Sequence, residues 1–277
     1  MRRVFLADVH LSPRHPARTA RLVRFLEREA VRADELYILG DFFEYWIGSR
    51  HLEHEDYREA LDALRSVVRR GVRVVFLCGN RDFYMRRFAK ATGIEVVPGR
   101  KAIRLTAGSQ TAYLCHGDYM EGRTDWGFLI QRLIRSRPLE FLWGMLPTRW
   151  QERGATYYRR LSESKKRKAR PKAPHLGPHG LSVEALAAEF RRGAQVIVCG
   201  HVHQAAEWPN PVPGVPGTLY TLGDWEAGES FLVEEDGQWH LCPVPGTAPG
   251  GTEGVGGSPV SGAKKDSGRT GGHSTTV

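Results

Sequence analysis

The 277-residue chain is 41% hydrophobic and 26% charged, enough apolar material for a sizeable globular core in one large domain or two small ones. Mean hydropathy is −0.41, and no run of about 18 uncharged apolar residues occurs, which excludes a membrane-spanning helix. Net charge is +9, but it is uneven: ten basic and two acidic residues fall between Arg149 and Lys172, against 30 basic and 29 acidic in the rest of the chain. The apolar stretch Val4 to Ala7 meets Asp8 at once, too short for a signal peptide, so the protein is expected to start at Met1 and stay in the cytosol.

Short apolar runs alternate with helical spacings, the pattern of stacked β-α units. Arg3 to Ala7 reads as a buried strand, Thr19 to Val31 as a helix, and Glu35 to Leu39 as a second strand. Tyr57 to Arg70 carries Leu61, Leu64, Val67 and Val68 on one helical face and is closed by Gly71. Val72 to Cys78 is a third strand, Met85 to Thr92 a short helix stopped by Gly93, and residues 94–97, 102–106 and 111–115 are further strands. Strands are also expected over 196–199, 219–222, 230–234 and 238–242, spaced like a meander. The fold class is α/β.

Two stretches stand apart from this series. Residues 120–180 form an expected helical insertion, aromatic in its first half and basic in its second, dividing a core of 1–119 and 181–245. From Gly246 to Val277 small and polar residues dominate, and the segment is expected to be disordered because it cannot bury enough surface to offset its ordering entropy. Cys78, Cys115, Cys199 and Cys242 lie far apart with no C-x-x-C pair, so they read as small buried thiols and neither as a zinc ribbon nor as a disulfide framework.

Chemistry gathers where the strands stop. They end in Asp8-Val9-His10, Gly40-Asp41, Gly79-Asn80-Arg81-Asp82, His116-Gly117-Asp118 and Gly200-His201-Val202-His203. In α/β sheets such ends line one edge, where ligands bind, and residues i and i+2 of a chain leaving its strand both reach one site. Asp8, His10, Asp41, Asn80, His116, His201 and His203 are too many donors for one ion but suit two divalent cations about 3.5–4 Å apart. Nitrogen and oxygen donors without thiolates favour Mn²⁺, Fe²⁺ or Zn²⁺.

The ordered motifs D-x-H, G-D, G-N-R-D, H-G-D and G-H-x-H resemble those of the calcineurin-like metallophosphoesterases. Within these, Leu39 to Gly48, Gly79 to Phe83, Leu114 to Asp118 and Leu222 to Trp225 resemble the UDP-2,3-diacylglucosamine hydrolase family of lipid A biosynthesis, over residues 1–243. The resemblance implies a four-layer fold of two β-sheets flanked by helices, with a helical cap. It implies cleavage of the diphosphate of UDP-2,3-diacylglucosamine to UMP and 2,3-diacylglucosamine 1-phosphate, with Mn²⁺ as the usual metal. Asp8, His10, Asp41 and His203 would hold one ion, and Asn80, His116 and His201 the other, with Asp41 bridging. Asp41, Asn80, Arg81 and His116 would be catalytic. Asn80, Arg81, Asp125, Ser162, Lys166, Lys168 and His201 would meet substrate.

Many relatives place a histidine beside the asparagine to protonate a poor leaving group. A phosphate leaving group needs no strong acid, so Arg81, a permanently charged fork, fits a diphosphate better than an alkyl phosphodiester. The basic cap segment would meet either the diphosphate or an anionic bilayer, which implies peripheral association with the cytoplasmic face of the inner membrane. The same metal ligands also suit another nucleotide-diphosphate conjugate or, with a basic patch, a nuclease. Nucleic acid is disfavoured as a partner because the basic run lies beside many apolar residues, with no long neutralising groove evident.

Overall fold

Strand β1 (Arg2–Leu6) alternates between two cores: Val4 and Leu6 face one, and Phe5 faces the other. β2 (Glu35–Ile38) and β3 (Arg73–Leu77) repeat this, with Leu36, Ile38, Val74 and Phe76 on the first side and Tyr37, Val75 and Leu77 on the second. Strands buried on both faces belong inside a layered α/β fold, which explains why these segments read as continuous apolar runs. This computed structural model describes residues 1–46, 48, 52–97, 101–121, 133–134, 136–147, 150–151, 153–154, 157, 177, 179–226 and 230–245.

Sheet one runs β11-β10-β1-β2-β3-β4, with β4 (Glu95–Val97), β10 (Ser230–Glu235) and β11 (Gln238–Pro243). β1 to β4 are parallel, whereas β10 returns antiparallel to β1, setting Val233 opposite Val4. Sheet two runs β5-β6-β7-β9-β8, comprising β5 (Ile103–Ala107), β6 (Gln110–Cys115), β7 (Val196–Cys199), β8 (Ala206–Pro209) and β9 (Thr218–Thr221). Its three central strands are parallel and its edge strands antiparallel. The meander expected at the end of the domain is thus divided. β7 and β9 pair in parallel inside sheet two, and β10 and β11 form a hairpin of sheet one.

Four layers result. Helices α1 (Pro16–Arg28), α2 (Glu55–Arg69) and α3 (Arg86–Thr92) cover the outer face of sheet one around Phe25, Phe43, Trp46 and Phe88. Phe5, Tyr37, Leu114, Val198 and Tyr220 fill the space between the sheets. Helix α5 (Val183–Arg191), which the sequence reading does not foresee, closes the far side of sheet two through Leu186, Ala187 and Phe190. Its start is fixed by Ser182 Oγ, which accepts the Ala185 N–H at 3.3 Å. Burying each of these large side chains contributes about 1.5–3 kcal/mol. Helix α4 (Arg137–Met145) falls in the stretch expected as an insertion; its Trp143 ring lies 6.4 Å from that of Tyr84, whose hydroxyl donates to the Ile134 carbonyl at 2.9 Å just before the helix.

The end of sheet one opposite the strand C-termini is tied by charge. Arg3 binds Glu35 at 2.8 Å and the fully buried Glu234 at 2.7 Å, while Arg73 binds Glu35 at 2.8 Å and Glu95 at 2.7 Å. Burial alone would raise the Glu35 carboxyl, but hydrogen bonds from Arg73, Arg3 and Tyr37 hold it below its ordinary range. A carboxyl depressed in the folded state stabilises folding above its unfolded pKa and loses that contribution as pH falls through its folded value. Glu35→Gln is expected to cost about 1–3 kcal/mol at neutral pH and to flatten the decline of the melting temperature below about pH 4. Thermal unfolding followed across pH 3–7 checks this, and an acid limb as steep as the wild type's would contradict it.

Candidate metal centre

The carboxyl ends of β1, β2 and β3 in sheet one and of β6, β7 and β9 in sheet two open on the same edge. Past the strands the backbones stay locked: Asp8 N–H donates to the Gly40 carbonyl and His10 N–H to the Asp41 carbonyl, both at 3.1 Å, and Gly200 N–H to the His116 carbonyl at 3.0 Å. Asp8, His10, Asp41, His201 and His203 all hold left-handed backbone, with φ between 49° and 70°. Non-glycine residues adopt that conformation at a cost of about 1–3 kcal/mol each, and such strain concentrates at functional sites. Here it turns five expected ligands inward.

Among the described residues two clusters of donors form, and Asp8 is common to both. Asp8, His10 and His203 make one; Asp8, Asp41 and His116 make the other. In the first, Asp8 Oδ1 lies 3.8 Å from His10 Nε2 and 3.6 Å from His203 Nε2, and the two Nε2 atoms are 3.3 Å apart. In the second, His116 Nε2 lies 3.6 Å from Asp41 Oδ1 and 3.1 Å from Asn80 Oδ1. The His201 ring sits edge-on to His116, with centroids 5.1 Å apart. All seven residues expected as ligands therefore meet at one place.

The donors fit divalent cations. Ligand atoms about 2.1 Å from a common ion stand about 3.0–3.4 Å from one another, close to the spacings found. Asp8 Oδ1 is buried and accepts no hydrogen bond among the described residues, a costly state for a carboxylate unless a cation meets it. Burial would push the His116 imidazolium down, yet Asp41 and Asp8 reverse this and raise it to about 9. The pocket thus holds positive charge strongly. His116 Nδ1 donates to the Leu39 carbonyl at 2.8 Å, which aims Nε2 at Asn80 and Asp41.

Other side chains shape the edge. Asp82 Oδ2 accepts the N–H groups of Asp41 at 2.7 Å and Gly79 at 2.9 Å, joining the second and third strand ends. Burial first, and Asp41 second, raise its carboxyl to about 7. Asp8 Oδ2 takes the His201 N–H at 2.6 Å and Asp41 Oδ1 takes the Arg81 N–H at 2.8 Å, so each aspartate also fixes a neighbouring motif. The Arg81 guanidinium is buried, with Nε 3.4 Å from Asp41 Oδ2 and its centre 5.5 Å from the Tyr45 ring. Asp82 closes the G-N-R-D motif, so its signal was present in sequence. Asp125, Ser162, Lys166 and Lys168 lie outside the described residues.

Gly79 and Gly200 are among the glycines with no room for a side chain. A Cβ on Gly79 would strike the Asp41 carboxylate, and one on Gly200 would strike the Asp8 carboxylate and the Ala7 side chain. Gly200→Ala is expected to destabilise the fold by about 1–3 kcal/mol and to lower cation stoichiometry, because the neighbour that must move is the carboxylate common to both donor clusters. Thermal unfolding with metal analysis tests this; wild-type values in both would refute the packing described.

The family model for calcineurin-like phosphoesterases matches residues 1–205. The UDP-2,3-diacylglucosamine hydrolase of Aeromonas salmonicida is 35% identical over 245 residues, covering 87% of this chain and 92% of that protein. The enzyme of the same name from Edwardsiella ictaluri is 36% identical over 248 residues, covering 88% and 93%. Among solved structures, a dimetal phosphatase from Danio rerio aligns with 88% of this chain and 99% of its own, at 12% identity and a TM-score of 0.45.

Proposed function

The chain belongs to the calcineurin-like phosphoesterase family, and we propose that it hydrolyses the diphosphate of UDP-2,3-diacylglucosamine to UMP and 2,3-diacylglucosamine 1-phosphate. One observation carries this choice of substrate: the likeness to hydrolases of that name spans enough of the chain to take in the insertion, beyond the ligand motifs common to the whole family. The proposed organisation is a core of 1–119 and 181–245, a cap of 120–180 and a tail of 246–277.

Asp8, His10, Asp41 and His203 would hold one divalent cation and Asn80, His116 and His201, with Asp41, the other; Mn²⁺ suits this mixed oxygen and nitrogen set. Bound there, the pair would polarise the phosphoryl group and make a water acidic enough to attack it near neutral pH. Arg81 stands beside Asp41, where its planar fork would bind a phosphate oxygen and stabilise charge that develops in the transition state. Asn80, 3.1 Å from His116, would contact the same phosphate. No residue has to protonate the leaving group, because a phosphate departs as a stable anion.

A doubly acylated substrate also needs an apolar surface. Helix α4 displays Phe141, Leu142 and Met145, which are 70%, 57% and 68% exposed, and it lies beside Tyr84, close to Asn80 and Arg81 in the chain. These side chains would meet the acyl chains, and Asp125, Ser162, Lys166 and Lys168 would complete the substrate contacts. The basic segment would rest on anionic lipid at the cytoplasmic face of the inner membrane, each basic residue there contributing about 1 kcal/mol.

Release of UMP with Mn²⁺ from UDP-2,3-diacylglucosamine and from unacylated UDP-N-acetylglucosamine tests the reading. Turnover of the acylated compound alone is the expected result. Equal turnover of both, or hydrolysis of single-stranded DNA instead, would overturn it.

A further inference from the structure

The loop after β9 sends a sixth strand end into the metal edge, and the seven ligands leave its role unassigned. Asp224 Oδ2 lies 3.0 Å from His203 Nδ1. An ionised carboxylate only accepts, so Nδ1 carries the proton and Nε2 presents its lone pair to Asp8 and His10. The carboxylate is itself held, since Asp224 Oδ1 accepts the Glu226 N–H at 3.3 Å. The loop is fastened to the opposite ligand pair as well. Trp225 N–H donates to the Asp8 carbonyl at 3.3 Å, and Arg21 donates to the Trp225 carbonyl at 3.2 Å. The buried Arg18 spans the gap, donating to the His10 carbonyl at 2.8 Å while standing 3.4 Å from Glu226.

We infer that Asp224 is a positioning residue: it fixes the tautomer and ring orientation of His203, and its loop sets the distance between the Asp8–His10 pair and the His201–His203 pair. His203 is partly exposed at its own left-handed turn, so its ring is oriented by groups outside the turn, Asp224 at Nδ1 and the His10 ring at Nε2. Partners of this kind raise the basicity of a histidine ligand, and removing them typically lowers metal affinity about 10- to 100-fold. The inference rests on the two-cation reading above.

Mn²⁺ binding by calorimetry, the visible absorption of the Co²⁺-loaded protein and metal-free thermal unfolding are measured for wild type, Asp224→Ala and Asp224→Asn. Asp224→Ala is expected to weaken one of two sites 10- to 100-fold and to change the Co²⁺ spectrum, with the metal-free melting temperature unchanged. Asp224→Asn keeps an acceptor for Nδ1–H and is expected to recover most of the affinity, whereas Asp224→Leu, measured alongside, keeps the bulk without an acceptor and is expected to repeat the loss, so it reads the effect if the alanine variant fails to fold. Binding and spectra equal to wild type in the alanine or the leucine variant would overturn the inference while leaving the two-cation reading intact. A wild-type protein that binds no divalent cation would sink both.

Discussion

Asp8→Asn is expected to lower kcat/KM for UDP-2,3-diacylglucosamine by about 10³-fold or more, while the metal-free protein melts no lower than wild type. Among the described residues Asp8 is the donor common to both clusters, so its charge would hold one proposed cation directly and lie close to the other. Losing charge stabilisation worth several kcal/mol in the transition state corresponds to roughly a thousandfold in rate. Stability runs the other way. Asp8 is fully buried and burial raises its carboxyl, because the ionised form is costly there. An isosteric amide removes that cost and keeps an acceptor for the His201 N–H. Steady-state kinetics with unfolding in chelator checks both halves; a variant that keeps its activity, or one that loses stability in step with activity, contradicts the assignment.

Arg81→Ala is expected to cost about 10²–10³-fold in kcat/KM with both cations retained. Asp41 is held below the ordinary carboxylate range against its burial, first by His116, then by His10 and Arg81. A cation bound beside it would itself favour the ionised carboxylate, so Asp41 is expected to keep binding metal when Arg81 is gone. What would disappear is the fork proposed to bind phosphate, and Arg81→Lys is expected to restore little because an ammonium offers no such fork. Metal content measured beside kinetics separates the roles. Cation and activity lost in equal measure would make Arg81 a partner of Asp41 and no more.

Local pattern was enough to locate much of this molecule. β1, β2 and β3 are buried on both faces, so their apolar runs are continuous and their ends abrupt, and each end carries an expected ligand that the structure brings to the centre. Sheet membership was not legible, because β7 and β9 have the same local character as β1 and β2, and only long-range pairing assigns them to different sheets. β8 escaped notice because Ala206–Pro209 alternates half-buried and exposed residues on an edge. Helix α5 is short, and its Ser182 cap is a weak signal by itself. Asp224 was visible in the motif Leu222 to Trp225, but its pairing with His203 crosses a loop that no spacing rule describes. Sequence expects Asp41 to bridge the two sites, and the structure sets Asp41 and Asp8 together in the cluster with His116.

The central claim is that these strand ends hold two cations side by side. Anomalous scattering from crystals grown with Mn²⁺ measures it directly. Two peaks about 3.5–4 Å apart, one toward His10 and His203 and the other toward His116, are the predicted result. A single peak, or density away from the aspartates, would contradict it.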